Sequence, residues 1–242
     1  TNIYLYGAEL DSATYYNNKA IESFQKIKSY KNIAKAYLHK SIIFQSKSDF
    51  KNQLKYTLIS LEFAKKSKDF VLMSGNYNNL AMYALDQHKY EEALKYAKNS
   101  NKYALISKNE QSINNSYTGL AESYSFLNDT VNANKIFKIG YEFSKKRNNS
   151  FAIAWFLTNW ARLQKTPEAL KMRLEAQEIW NEFGVNPMYV HNTGMIGVLY
   201  MNLYSEEKNV VQKQNYLKQA EKYLTETIEN AYDNHDIMNS IE

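Results

Sequence analysis

The sequence predicts an all-α protein built from antiparallel helix hairpins set in a row, and three observations predict it. Only 7 Gly and 2 Pro occur among 242 residues, too few for a turn-rich β protein. Apolar residues recur at helical spacing: Tyr77, Leu80, Ala81, Ala84 and Leu85 follow i, i+3, i+4, i+7, i+8. The sequence also matches itself when shifted by forty residues. Tyr37, Tyr77 and Tyr117 align, as do Ser41, Ala81, Ala121 and Ala161. So do Ser60, Ser100 and Gly140, then Phe63, Tyr103 and Phe143, and the polar Asp69, Asn109 and Asn149. Large residues fall on large and small on small, which is a structural register rather than shared composition.

The elements follow in order as one domain, 1–242. A leading helix, 11–28, carries Ala13, Tyr16, Ala20 and Phe24 and reads as a second helix whose partner is missing. Five two-helix units are expected at 31–69, 70–109, 110–149, 150–184 and 185–232, and 233–242 reads as the start of another or as a cap. Asp69, Asn109 and Ser150 are expected to cap the first helices of units two to four. Thr166-Pro167 and Asn186-Pro187 place Pro just inside a helix start, and Gly184 suits a helix end. The fourth unit has an inter-helix turn about four residues shorter than its neighbours, and the fifth has extra residues near Glu206–Lys213. The second helix of unit two, from Tyr90, buries Ala93, Leu94, Ala97 and Ala104, a stripe too small to hold a lone hairpin together. Small residues such as Ala81 and Ala93 let helix backbones approach, aromatics fill the layer between hairpins, and stability comes from the neighbouring units.

Composition excludes several classes. Cysteine is absent, which removes disulfides, thiolate metal sites and cysteine nucleophiles. The formal net charge is +5, but the clusters Lys65-Lys66-Ser67-Lys68 and Lys145-Lys146-Arg147 fall at expected helix ends, where cations oppose the helix dipole. Base stacking wants aromatics interleaved with Arg, and the only Arg are Arg147, Arg162 and Arg173, so no direct nucleic-acid binding by this segment is expected. No apolar run reaches the roughly 18 residues of a membrane span, so no membrane insertion is expected. The opening TNIYLYGAEL lacks an initiator Met and a signal-peptide pattern, and we expect a mature fragment of something longer.

No constellation for chemistry emerges. His39, His88, His191 and His235 form no H-E-x-x-H and no i, i+4 pair, so no metal site is expected. Gly194-Met-Ile-Gly197 lacks the Gly-Lys-Ser/Thr of a phosphate loop, and Gly197 reads as a helix-packing residue equivalent to Ala81. There is no G-x-S-x-G. The adjacent acids Glu91-Glu92 and Glu206-Glu207 point in different directions on a helix. The expectation is a protein with no catalytic residues and no cofactor.

Tyr77, Leu80-Ala81, Tyr90 and Ala93, together with the Y-E-E-A-L of residues 90–94, resemble the tetratricopeptide repeat (TPR) family. Tyr117, Leu120-Ala121 and Ala133 match it in part, with Thr130 in place of the aromatic. The resemblance covers nearly the whole sequence. The period is forty instead of the usual 34, and the Pro that closes each unit is absent. Long-period versions look like those of bacterial signalling proteins, either cytoplasmic peptide receptors or membrane-tethered transcriptional regulators. Asp11-Ser12-Ala13-Thr14-Tyr15-Tyr16 and Tyr77-Asn78-Asn79-Leu80-Ala81 look most like the second. The resemblance implies a right-handed superhelix of hairpins, a non-enzymatic module that binds a peptide or protein segment, and a periplasm-facing location with the cytoplasm as the other choice.

In that family the first helix of each unit lines a concave groove. Transferred to this sequence, the groove positions are Asn78 and Met82, then Asn115, Thr118 and Glu122, then Trp155, Thr158 and Arg162, then His191, with Asn79 and Asn159 one position away. Carboxamides pair with a backbone N–H and C=O together, Trp155 offers a flat apolar contact, and Arg162 can fork onto a carboxylate. The two-Asn, two-Lys clamp of some chaperone cofactors is not clearly present. The alternative is a scaffold that self-associates as a homodimer through end units, at Tyr16–Phe24 or Tyr216–Ile228.

Overall fold

The computed structural model describes residues 10–239, with side chains through residue 231. The described residues form eleven α-helices and a short 3₁₀ turn, with no strand among them. The helices are α1 (Leu10–Lys26), α2 (Tyr30–Ser46), α3 (Phe50–Lys66), α4 (Phe70–Asp86), α5 (Tyr90–Ser107) and α6 (Glu110–Phe126). They continue with α7 (Thr130–Lys145), α8 (Ser150–Trp160), the 3₁₀ turn Ala161–Leu163, α9 (Thr166–Glu182), α10 (Pro187–Glu206) and α11 (Val210–Asn239). Packing divides them into two compact units, one ending at Ile136 and one beginning at Phe137.

The connections from α1 to α8 are nearly identical, and their chemistry explains the regularity. Lys28, Ser48, Lys68, His88, Lys108, Asn128 and Asn148, spaced twenty residues apart, each adopt a left-handed conformation with φ between 51° and 58°. That conformation turns the backbone so that the next amide reaches back five residues. Ser29 donates to Phe24 O, Asp49 to Phe44 O, Asp69 to Ala64 O, Lys89 to Ala84 O, Asp129 to Tyr124 O and Asn149 to Ser144 O, at 2.8–3.1 Å. This is the Schellman closure of a helix end. Where α5 runs one residue longer, Asn109 N–H bonds the Ser107 hydroxyl instead.

The residue that closes one helix also opens the next. Asp49, Asp69, Asn109, Asp129 and Asn149 accept the backbone N–H three residues ahead at 2.9–3.1 Å. Asp69 and Asn109 are the expected caps; the expected Ser150 is the first residue inside α8, and Asn149 does the capping. Asn186 caps α10 by accepting from Met188 and Tyr189, and both Pro residues sit in first turns as expected. Gly184, at φ 70°, ends α9.

Small residues decide how closely the helices cross. In α5 the buried positions are Ala93, Ala97, Ser100 and Ala104. The Ser100 hydroxyl donates to Ser74 O of α4 at 3.0 Å, and Ser60 of α3 donates to Ala34 O of α2 at 2.8 Å. A hydroxyl can reach a backbone carbonyl of the facing helix only when the two backbones nearly touch. The aromatics lie beside these crossings. Tyr37 stacks on Phe63 at 6.1 Å and Tyr77 on Tyr103 at 5.6 Å, each pair bridging the two helices of one hairpin. The expectation that aromatics fill the layer between hairpins is therefore corrected for these pairs: they seal the hairpins themselves. Tyr90 on Phe126, at 5.6 Å, does link α5 to α6.

Gly140 of α7 replaces the hydroxyl with bare backbone. A Cβ there would lie 2.5 Å from Cε1 of Phe156, a ring 1% exposed on α8. Gly140→Ala is expected to cost about 1–3 kcal/mol in urea unfolding, because that ring has nowhere to move. Gly75→Ala is the contrast: its Cβ would meet Leu38 at 3.7 Å, an ordinary contact, so helix propensity should stabilise the protein by about 1 kcal/mol.

Two further outcomes follow from the turns. Lys68→Gly removes a Cβ from a left-handed position and should stabilise by about 0.5–1 kcal/mol, whereas Lys95→Gly inside α5 should destabilise by a similar amount. Hydrogen bonds from Asn52 hold the Asp49 carboxyl below its ordinary value of 3.8, and those from Asn132 do the same for Asp129. Burial pushes Asp69 upward, but Lys31 at 2.9 Å and the Leu72 amide outweigh it. Lowered carboxyls stabilise the fold above 3.8 and lose that contribution as pH falls from 3.8 through their folded values. Thermal midpoints measured against pH should therefore fall in that window, and fall less when the three are changed to Asn, which caps without titrating.

Candidate functional site

In the first unit, the expected groove residues lie on α4 and α6. Asn78 is half-buried against Gly119 of α6, where a Cβ would stand 2.5 Å from its Oδ1. Asn78 Oδ1 and Asn79 Nδ2 are buried atoms with no hydrogen-bond partner. Met82 packs beside the core cluster of Ala84, Leu85 and Ala93. Asn115 is exposed, and its Oδ1 accepts from Gln111 Nε2 at 2.8 Å. Thr118 and Glu122 are half-buried. The structure thus gives these positions two fates: Asn78 and Met82 are largely committed to helix contacts, while Asn115 faces water.

The second unit holds a polar network in its core. Arg173, Gln177 and Trp180 come from α9, Asn192 and Thr193 from α10, and Thr158 from α8; all are between 0% and 7% exposed. Arg173 Nη1 donates to Asn192 Oδ1 at 3.1 Å, and Asn192 Nδ2 donates to Arg173 O at 2.9 Å and to Gln177 Oε1 at 2.8 Å. Gln177 Nε2 extends the network to Thr193 Oγ1 at 2.8 Å. Trp180 Nε1 donates to Thr158 Oγ1 at 3.1 Å, and that hydroxyl lies 3.4 Å from Asn192 Oδ1. Asn192 uses its acceptor and both amide hydrogens, so it ties α8, α9 and α10 together. Thr158, expected on an open groove, is 1% exposed and belongs to this network, so no ligand reaches its hydroxyl.

Arg173 is the unusual member. A buried guanidinium is normally matched by a carboxylate. Among the described residues none forms an ion pair with it. Burial, with Arg162 adding to it, pulls its pKa down to about 10, which still leaves it charged at neutral pH. Arg162 sits exposed on the 3₁₀ turn. His191 is exposed on α10, one residue before Asn192, and its pKa is lowered by burial and then by Arg173 and Arg162. Trp155 is half-buried, edge-on to Phe156 at 5.6 Å. The structure therefore brings Arg162 and His191, both expected, into the field of Arg173, which was not.

Arg173 and Asn192 escaped the sequence reading, yet a signal existed. Arg173 and Gln177 stand inside the stripe of α9 that also buries Leu170, Ala176 and Trp180. A charged residue at the centre of a buried helical stripe marks either a partner or a site. No group of His, Asp or Glu able to hold a metal ion occurs among the described residues. No helix there is long and apolar enough to cross a membrane.

No known protein-family profile matches the sequence, and no curated protein matches it. Solved structures do. The crystal structure of BtubC (BKLC) from P. vanneervenii is similar at a TM-score of 0.71 with 14% identity, covering 94% of this chain and 93% of that one. A putative kinesin light chain from Podosopora anserina, with nearly identical TPR-like repeats, is similar at 0.57 and 13% identity, over 84% and 96% of the two chains. A substituted form of that protein gives 0.58 at 12%, over 84% and 97%. At these identities the likeness speaks for the fold alone, and it gives this protein an all-α, TPR-like solenoid fold.

Proposed function

We propose that this protein is a non-enzymatic interaction module that binds a peptide or protein segment, serving as the sensing part of a bacterial signalling or transcriptional regulator. Its five hairpins would be the units at 31–69, 70–109, 110–149, 150–184 and 185–232. The observation that carries the reading is the combination of a TPR-like fold with exposed polar and basic side chains on the first helices of its hairpins. Asn115 on α6, Arg162 at the end of α8 and His191 on α10 are open to water, while the buried groups are spent on packing. An extended segment offers a backbone N–H and C=O at each residue, and carboxamides and guanidinium groups answer both. Asn78, Met82, Thr118 and Glu122 belong to the surface around Asn115 in the unit that ends at Ile136, and Trp155 to the surface around Arg162 in the unit that begins at Phe137.

A second reading, self-association, has an observation of its own. Tyr15 and Tyr16 on α1 are 54% and 50% exposed, and Val210, Val211 and Ile228 on α11 are 69%, 77% and 57% exposed. Apolar exposure at terminal helices is what an end-to-end contact between copies would cover.

Peptides recovered with the protein from native cells and titrated calorimetrically decide between these readings. A bound segment should lose about tenfold or more in affinity in Asn115→Ala or Arg162→Ala, both exposed positions that leave the fold intact. Affinity unchanged in both variants overturns the groove, and a mass that rises with concentration in light scattering favours self-association.

A further inference from the structure

We propose that the outward face of the second helices in the first unit docks the acidic outward face of α9 from another copy of this protein, so that copies associate through opposite charge. The proposal goes beyond the segment-binding reading and uses other surfaces, because neither face lies on the first helices of the hairpins.

The charge of the chain is unevenly divided. Residues 1–136 hold 18 basic and 12 acidic side chains, a net +6, and residues 137–242 hold 12 and 13, a net −1. The forty-residue register sets part of that excess in one column. Lys55 of α3, Lys95 of α5 and Lys135 of α7 are equivalent, all are exposed, and all belong to the first unit. Among the described residues none of the three forms an ion pair, although Glu91 stands one helical turn before Lys95. Lys51 and Lys98 extend the column by a turn on α3 and α5. The acids on these two helices lie toward its edges: Glu62 is paired with Lys66 at 2.6 Å, and Glu91 and Glu92 occupy the first turn of α5.

Helix α9 reverses the pattern. Glu168, Glu175, Glu178 and Glu182 are exposed and fall on one helical stripe, with Lys171 the one exposed base among them. Glu175 accepts the Tyr141 hydroxyl at 3.2 Å, a bond that leaves a carboxylate its charge. Local helix chemistry accounts for neither face. Lys51 stands in the first turn of α3, at the positive end of the helix dipole, and Glu182 in the last turn of α9, at the negative end; each is disfavoured where it is. A contact between the two faces offsets both penalties.

Like faces repel and unlike faces attract, so the contact joins two different surfaces and is heterologous. The net charge of +5 repels copies at long range, but within a Debye length, about 10 Å at 0.1 M salt, the facing patches decide. Exposed ion pairs are individually weak, so the association depends on several at once and on ionic strength.

The test follows the mass of the whole protein by light scattering at about 0.02 M and about 0.5 M salt. The mass should rise with concentration at low salt and return to that of one chain at high salt. Reversing the column with Lys55→Glu, Lys95→Glu and Lys135→Glu should weaken association by about tenfold or more, and so should Glu178→Lys with Glu182→Lys. Circular dichroism checks that both variants keep their helices. An equimolar mixture of the two should associate again, because each then presents the charge the other lacks. A mass independent of concentration at low salt overturns the proposal, as does association that is unchanged in both variants or not restored in the mixture. Association that survives high salt and both sets of substitutions assigns the contact to the exposed apolar side chains of α1 and α11 and overturns this one.

Discussion

From α1 to α8 the structure depends on one short connection, three residues long at five of its seven occurrences. A residue in the left-handed region reverses the backbone, and at six of the seven turns the N–H of the residue after it closes the old helix; at five of the seven that residue's side chain caps the new helix. Because these jobs fall to adjacent residues, the turn has almost no slack. Helices of 17 residues then recur, and equivalent positions of every second helix meet similar surroundings: Ile33, Ala34 and Ala36 of α2, Met73, Ser74 and Asn76 of α4, and Ile113, Asn114 and Ser116 of α6 are all buried. The penalty is strain at side chains with a Cβ, borne at Lys, Ser and His as well as at the better-suited Asn. Closure and capping offset it at each end.

Fixed turns make small residues the second requirement. Once the turn sets the spacing of two helices, the crossing point has no room for a large side chain. Ala34 and Ser60, then Ser74 and Ser100, answer this with a hydroxyl-to-carbonyl contact, and Gly140 answers it with nothing at all. Large rings are displaced to the flanks of the hairpin, where Tyr37 on Phe63 and Tyr77 on Tyr103 recover the burial that the crossing forgoes. A helix as poor in large apolar groups as α5 is stable for this reason: its alanines are contacts, not gaps.

What the sequence reveals divides along the same line. Helix type, the small crossing positions and most helix starts are legible because each is a local rule about one residue type. Asn149 rather than Ser150 at the start of α8 is a one-residue slip between two good capping residues, which local chemistry alone does not resolve. Thr158 was misplaced for a different reason. A helix face is inferred from spacing, but whether that face meets water or another helix depends on how α8, α9 and α10 cross, and the network that buries Thr158 joins residues up to 34 apart. Arg173 was passed over because periodicity searches look for apolar residues, and it is a buried charge that no carboxylate among the described residues pairs with.

The departures from regularity gather in the fourth hairpin. There α8 stops after 11 residues, a 3₁₀ turn replaces the left-handed connection, and Pro167 starts α9. The core it shares with α10 holds a guanidinium, an indole N–H and two carboxamides in a single network. Local rules and packing agree almost everywhere else in the protein, so their joint failure here is informative. Arg162 stands exposed on the 3₁₀ turn, and Arg173 stays charged at neutral pH although burial lowers its pKa to about 10, so the two irregularities have one consequence in common. Both concentrate positive charge at one place on a protein whose other basic clusters, Lys65–Lys68 and Lys145–Arg147, lie at helix ends where the backbone dipole already accounts for them.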